Sequence, residues 1–494
     1  MNILLILPKT PDWLWGFKHA LSFIGKKPGY PPLGLLTVAA LLPAEWNKRL
    51  VDTNVQELTQ TDLEWSDYVF ISAMSMQGES ARQIIARCKQ AGRKVVAGGP
   101  LFIHEWEKYS DVDHFIINEA ELVLPEFIAD MEAGCTQRVY ESSKYPDIRQ
   151  SPVPSWHLLQ IKHYELIGVQ FSRGCPHDCD FCNIGDLLGR KLRTKTVTQL
   201  ITELDGLYAA GWRKDIYFVD DNFIGNIKKL KSEILPALIN WRQGKKVGPF
   251  LTLASMNLAD DDELLHLMYE AGFTSVFIGI ETPDNDSLAE CNKYNNKDRD
   301  LVESVRRIHR AGIRVQGSFI VGFDNDTPAV FQKQIDFIQI SGIAAAKVNL
   351  LNAPYGTKLY KRLLGEGRIN KDITLASEKL ESTNIIPKMG MDVLESGYKN
   401  LMQHIYSPHP YYERVKTFLS EYKRPIISAP LEAQHIQAFF LTVYHIGIMG
   451  VERAYYWRLL LWTFTRRPAL FPMAITLVVY GYHFRKYCER LRED

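Results

Sequence analysis

Cysteine is scarce in this chain, with seven residues in 494. That is too few for a disulfide framework and is the usage expected of a reducing cytosol. An excess of one charge is also missing, since 58 Lys and Arg face 57 Asp and Glu. Without a long-range positive field the chain has no means of gathering phosphates, and nucleic acid is excluded as the expected partner. Membrane-spanning runs are absent as well: the apolar stretch Ala469–Tyr480 is shorter than the roughly 20 residues that cross a bilayer. The opening residues Met1–Pro8 are apolar but carry no basic lead and no small-residue cleavage site, which reads as a first buried strand rather than a leader. Hydrophobic residues at 46% and charged residues at 23% exclude disorder and low complexity. What remains is a globular chain long enough for two to four domains of roughly 100–200 residues each.

Short apolar runs alternate with helical patterns through the first third. Strands are expected at Ile3–Leu7, Tyr68–Ala73, Lys94–Ala97 and Phe115–Ile117, and helices at Leu33–Leu42, Glu79–Ala91 and Leu122–Ala133. Such alternation predicts a parallel, doubly wound, Rossmann-like domain over residues 1–138. Ser72, Gly98 and Gly99 follow two of these strands, at the edge where open α/β sheets bind ligands. Pro146, Pro152 and Pro154 mark residues 139–164 as a linker. Alternation then resumes with strands at Leu166–Phe171, Ile216–Val219, Phe250–Ala254, Ser275–Ile280, Val315–Val321 and Lys347–Leu351. Six βα units are fewer than the eight of a closed barrel, so residues 165–385 are expected to form a partial (βα)6 barrel with its chemistry at the carboxyl ends of the strands. Residues 386–494 turn helical and aromatic, a separate helical tail. From residue 401 onward, 12 basic residues outnumber 7 acidic ones, so the tail is read either as a peripheral membrane contact or as carrying a buried core helix at 469–480.

The chemistry concentrates in Ser172-Arg173-Gly174-Cys175-Pro176-His177-Asp178-Cys179-Asp180-Phe181-Cys182, directly after an expected strand. Three thiolates on one tight loop each take one iron of a cubane and leave the fourth iron open. A structural zinc site needs a fourth ligand, and only His177 is at hand locally. The remaining cysteines, Cys88, Cys135, Cys291 and Cys488, have no partner spacing and read as small buried hydrophobes.

This C-x3-C-x2-C spacing, with the aromatic Phe181 before its last cysteine, resembles the signature of the radical S-adenosylmethionine (SAM) superfamily. The resemblance implies a 4Fe–4S cluster on Cys175, Cys179 and Cys182 whose open iron is chelated by SAM. Reductive cleavage then yields an adenosyl radical that takes hydrogen from an unactivated carbon, with electrons from an external flavodoxin- or ferredoxin-type donor. Asp220, Asp221 and Asn222 stand where the family has a Gly-Gly-Glu-like turn for the methionyl amine, but without the glycines. Ser255, Asn257 and Glu281 end later strands and are candidates for the SAM ribose or carboxylate, though each is read equally as a helix cap or loop residue. Gly317 and Gly322 resemble a glycine-bearing strand near adenine, spaced one residue further apart than usual. Arg190, Arg193 and Lys195 follow the cysteine loop, as anion ligands or as a solvated basic face. A doubly wound domain ahead of such a barrel, with Pro31-Pro32-Leu33-Gly34-Leu35, is similar to the cobalamin-binding subclass, although no Asp-x-His-x-x-Gly loop is present. Within it, residues 173–196 and Phe218-Val219-Asp220-Asp221-Asn222 resemble the group containing hopanoid C-2 methylases. The implied reaction is methylcobalamin-dependent C-methylation of a lipid or other small molecule. A cobalamin-dependent radical cyclase or rearrangement enzyme shares every motif, and a non-catalytic iron–sulfur or cobalamin-binding protein is the reading from another class.

Overall fold

The computed structural model describes residues 1–490 except 28–29, 371–372, 374–381 and 428–432. Six strands, β1 (Asn2–Leu7), β2 (Asn47–Asp52), β3 (Tyr68–Ser72), β4 (Lys94–Gly98), β5 (His114–Ile117) and β6 (Val139–Glu141), form one parallel sheet in the order β2-β1-β3-β4-β5-β6. Its central strands are apolar at nearly every position because both faces are covered. Leu4 and Ile6 enter one core layer while Ile3 and Leu5 enter the other. The chain reverses direction of sheet growth between β1 and β3, so the crevice outside their carboxyl ends is the ligand-binding edge of a doubly wound sheet.

Two strands of this sheet were not foreseen. β2 reads Asn-Lys-Arg-Leu-Val-Asp and lies at the sheet's edge, where one exposed side lets polar residues replace the apolar run. β6 falls inside the stretch expected to be linker and extends the N-terminal sheet to Glu141.

The second sheet contains β7 (Leu166–Val169), β10 (Asp215–Phe218), β11 (Phe250–Ala254), β12 (Phe273–Glu281), β13 (Arg314–Val321) and β14 (Ala346–Leu350). All are parallel and lie in chain order. This is the expected open six-stranded barrel. Between β7 and β10 a small antiparallel ribbon, β8 (Ser172–Arg173) with β9 (Arg193–Thr194), closes the base of the cysteine loop.

The tail is helical but not separate. Helices Met391–Ile405, Pro408–Glu421, Arg453–Arg466 and Phe471–Arg490 bury Leu401, Phe418, Leu459 and Leu477 in the same continuous core as the barrel's Ile278 and Val348. The Tyr406 hydroxyl accepts from the Ala346 N–H at 3.1 Å and donates to the Ala346 carbonyl at 2.5 Å, which satisfies backbone on the open edge of β14. Residues Phe471–Tyr480 belong to a helix that packs inward through Ala474, Leu477 and Val478, so the buried-helix reading of that run holds. Among the described residues no helix is long and apolar enough to cross a membrane.

Candidate functional site

The cysteine loop leaves the barrel at the carboxyl end of β7 and is fixed at both ends. Gly174 has φ of +90°, and a Cβ there would lie 2.8 Å from the carbonyl oxygens of Gly189 and Lys191. Only glycine fits a position with that torsion and that approach. Asp220, at the end of β10, accepts from the Phe171 N–H at 3.1 Å and from the Ser172 N–H and hydroxyl at 2.5 Å. Burial pushes its pKa up to about 7 against these bonds. Both of its oxygens bond the segment that precedes the cysteines, so Asp220 positions the loop.

Cys175, Cys179 and Cys182 are all free thiols, Cys179 buried and the other two half-buried. The His177 N–H faces Cys175 and the Ile184 N–H faces Cys182, bonds of the kind that tune thiolate ligands. Burial raises all three thiols, Cys182 to about 11, so loading with iron must release protons. Among the described residues no three His, Cys, Asp or Glu side chains converge closely enough to share a single ion. A cubane, which takes one thiolate per iron, suits the three cysteines; a zinc site does not. His177, the one local candidate for a fourth ligand, turns its Nε2 to the Asn222 amide at 3.3 Å.

Asp221 is the expected amine ligand that retains a free atom. One of its oxygens faces the Gly174 N–H, while Oδ2 is buried without a hydrogen-bond partner. Burial pushes its pKa up to about 6, with Arg173 and Arg193 opposing. An orphaned carboxylate oxygen beside Cys175 fits a cationic amino group held at the open iron.

The structure brings Asn222, Ser255 and Asn257 together: Asn222 Oδ1 accepts from the Ser255 N–H at 3.2 Å, and the Ser255 hydroxyl donates to Asn257 Oδ1 at 2.5 Å. Glu281 closes β12 at a register shift with φ of +66°, a left-handed torsion rare outside glycine. Its Oε1 accepts from Lys293 Nζ at 3.0 Å. Phe181 packs near Phe323, Leu351 and Leu359, which anchors the loop.

Gly317 lies on the expected fifth strand of the barrel and Gly322 directly after it. Gly317 lies in mid-strand, where a Cβ would meet the Phe319 ring at 2.7 Å, so it serves packing. Gly322 has φ of +108° and gives its N–H to Asp326 Oδ2 at 2.8 Å, so it forms the turn after β13. Ser72, Gly98 and Gly99 do meet at the carboxyl edge of β3 and β4, where a Cβ on Gly99 would lie 2.8 Å from Ser72 Oγ. The basic residues after the loop are engaged within the protein: Arg190 with Asp178 at 2.5 Å, Arg193 with Glu119 at 2.7 Å, and buried Lys195 with Glu203. Cys88, Cys291 and Cys488 are buried as expected, but Cys135 is exposed.

Sequence reasoning passed over two features. Lys293 is buried between Glu281 and the Cys179 and Cys182 thiols, whose charge together with that of Glu281 raises its pKa. It sits on the turn Cys291–Asn296, which clamps the loop: Asp180 donates its N–H to the Cys291 carbonyl at 3.2 Å, and Asn292 bonds the Asp180 carboxylate at 2.6 Å. Nothing in sequence ties this turn to a loop 110 residues earlier. The second is a buried ion network between domains, in which Arg173 bridges Glu119 at 2.6 Å and Glu121 at 2.8 Å. It faces the ligand edge of the N-terminal sheet toward the barrel mouth.

Two family models match the chain, the radical SAM superfamily over residues 169–338 and a domain of unknown function over 357–494. An uncharacterized methyltransferase of Synechocystis is 34% identical over all of this chain and 93% of its own length. The hopanoid C-2 methylase of Rhodopseudomonas palustris is 35% identical, covering 84% of this chain and 78% of its own.

The chain belongs to the radical SAM superfamily.

As a radical SAM enzyme it uses a 4Fe–4S cluster and SAM, the cofactors of that superfamily. Among solved structures, the cobalamin-dependent radical enzyme OxsB matches with a TM-score of 0.62 at 14% identity, over 100% of this chain and 84% of that one. The radical SAM methyltransferase TsrM from Kitasatospora setae matches with a TM-score of 0.59 at 15% identity, over 74% and 78%. Both likenesses show a shared fold.

Proposed function

We propose that this enzyme C-methylates an unactivated carbon of a lipid-like or natural-product substrate, with SAM at the Cys175, Cys179 and Cys182 cluster and cobalamin at the carboxyl edge of the N-terminal sheet. When bound, the cluster supplies the electron that cleaves SAM, and cobalamin carries the methyl group. The observation that carries the reading is the orphaned Asp221 oxygen beside a loop with three free thiols and, among the described residues, no fourth ligand. The names of the relatives, methyltransferases for the hopanoid and the uncharacterized Synechocystis protein, support methyl transfer as the outcome.

The chain's own residues prepare this chemistry in three ways. Asp221 orients the SAM amine, while Asp220, Gly174 and the turn Cys291–Asn296 hold the thiols in place. Lys293 sets the charge beside the cluster, and a positive charge there stabilises its reduced state. Inward-facing Tyr217, Leu251, Leu253 and Phe277 keep partial exposure inside the open barrel, with Trp15 packed against Phe277 at 5.6 Å. These side chains exclude water and suit an apolar substrate body. Lys347 lies beside them on β14, 5.0 Å from the Trp13 ring, and burial pushes its pKa down to about 8. It is the group available to bind an acidic or hydroxyl function of the substrate. Electrons arrive from a flavodoxin- or ferredoxin-type protein.

The test is anaerobic reconstitution with iron, sulfide and cobalamin, followed by reduction in the presence of SAM labelled on its methyl group and a bacterial lipid extract. We expect 5′-deoxyadenosine and label on carbon in an extractable product. Deoxyadenosine with unlabelled, rearranged product would favour a cyclase, and its complete absence would remove radical chemistry from the assignment.

A further inference from the structure

We infer that the helical hairpin spanning residues 433–466 is a docking surface for an anionic lipid bilayer. It is formed by helix Ala433–Thr442, its continuation Val443–Ile448 and helix Arg453–Arg466. The two arms are locked together by Trp457 Nε1, which donates to the Gly447 carbonyl at 2.9 Å, and by the Thr442 and Tyr456 hydroxyls, 3.1 Å apart. Gly447 lets them approach, since a Cβ there would lie 2.8 Å from the Tyr456 ring.

The inner face is settled by this packing, but none of the described residues covers the outer face. Ile436, Phe440, Tyr444 and Ile448 recur every fourth residue along the first arm, and all are exposed, Phe440 to 65%. A spacing of four keeps them on one stripe. The second arm shows Trp457, Leu461 and Phe464, the last two at 66%, and the turn between arms shows Met449 and Val451, the latter at 77%. The stripes join at one end, where Phe439 contacts both Phe440 and Phe471 and Phe471 contacts Phe464. Nine of the 21 exposed large hydrophobic side chains among the described residues fall in this one segment of 29 residues. Scattered apolar residues on a surface need no explanation, but a contiguous patch of this kind marks an interaction site.

Charge selects the partner. Exposed Arg453, Arg458 and Arg466 border the patch, and none has an ion pair among the described residues. The single acid between residues 433 and 470, Glu452, is buried and bonded to Arg485 at 2.8 Å. Arginine without compensating acid, tryptophan and phenylalanine on one face, and a length too short to span are the composition of an element that lies in a membrane interface. Position agrees: the hairpin rests on Phe23, which meets His445 at 6.1 Å and Tyr482 at 5.4 Å. Phe23 belongs to the N-terminal segment that carries Trp15 over the barrel interior. A bilayer on this face would lie next to the apolar lining of the barrel. The docking surface differs from the run at 469–480, whose buried face is turned into the core, and it does not depend on methyl transfer.

The experiment is flotation of the full-length reconstituted enzyme with vesicles of phosphatidylcholine, with and without phosphatidylglycerol, at low and high salt. We expect binding to the anionic vesicles that weakens with salt. Leu461→Glu with Phe464→Glu should reduce it at least ~10-fold, because burying two large apolar side chains contributes several kcal/mol. The triple change Arg453→Gln, Arg458→Gln and Arg466→Gln should abolish the preference for phosphatidylglycerol. All five positions are exposed, so circular dichroism and SAM cleavage should match the parent. The inference is overturned if the parent stays unbound to both vesicle types, or if the double variant floats as the parent does. It is equally overturned if sedimentation of lipid-free protein shows a dimer that Leu461→Glu with Phe464→Glu dissociates, which would make the patch a contact between copies. Loss of binding to a flavodoxin-type donor instead of to vesicles would assign the face to that donor.

Discussion

At the scale of single residues, the site separates groups that touch cofactor from groups that hold them. Cys179→Ala leaves two thiolates, which cannot retain a cubane; we expect loss of bound iron and of 5′-deoxyadenosine formation, measured by iron analysis and chromatography. Asp221→Asn should behave differently. Iron content stays at the parent level while the KM for SAM rises roughly 10- to 100-fold, the range of one charge-assisted hydrogen bond. Lys293→Met should lower the cluster potential in a redox titration followed by electron paramagnetic resonance, since the removed charge favours the reduced form. His483 contributes to the pH dependence, beside the buried His309, whose pKa burial pushes down to about 3. The His483 Nε2 donates to the Leu14 carbonyl at 2.7 Å and its Nδ1 accepts from the His19 N–H at 3.3 Å, an arrangement that only the neutral ring satisfies. Burial above all holds its pKa down at about 4 from 6.5. The unfolded chain therefore binds the proton first, and stability falls as pH drops from about 6.5 toward about 4, with no contribution above that window. This group alone should change the stability measured in urea by ~2 kcal/mol between about pH 7 and about pH 5, and His483→Asn should reduce the observed pH dependence by that amount.

At the scale of elements, the cysteine loop depends on partners that sequence spacing did not name. Its motif was legible because every ligand lies within eight residues and follows a recognisable strand. The clamp at Cys291–Asn296 was not, because it reaches the loop only through the parallel packing of β12 beside β11 and β10. The strand that carries Gly317 was legible, but its register with Ile278 and Ala346 was not, since composition does not encode it. Between elements, the Arg173–Glu119–Arg193 network joins the two ligand-binding edges with side chains that are almost wholly buried. Glu119→Ala would leave buried Arg193 without a carboxylate partner and Arg173 with Glu121 alone, and we expect a loss of ~2–3 kcal/mol in denaturant unfolding. Tyr406→Phe tests the cap on β14: it removes the Ala346 bonds and should cost ~1–3 kcal/mol.

At the scale of the whole molecule, the barrel and the C-terminal helices fold as one body. Their side chains share a single core, so truncation after residue 385 would expose Ile278- and Val348-side packing rather than release an independent module. We expect the truncated chain to be insoluble on expression, whereas removal of a separate tail would leave a soluble barrel. What the sequence determined alone was local: alternating apolar runs that dictate two parallel sheets, and a three-thiol loop whose chemistry follows from spacing. Backbone hydrogen bonding and ligand count are short-range constraints, so a stretch of ten residues is enough to express them. What only tertiary structure decided was which groups remain unsatisfied. Asp220 and Asp221 are neighbours in the chain, yet packing satisfies one fully and leaves the other an orphan oxygen. The run at 469–480 and the hairpin at 433–466 are similarly aromatic, yet one faces the core and the other faces outward. Burial depends on what the rest of the chain brings alongside, and that follows from the fold as a whole.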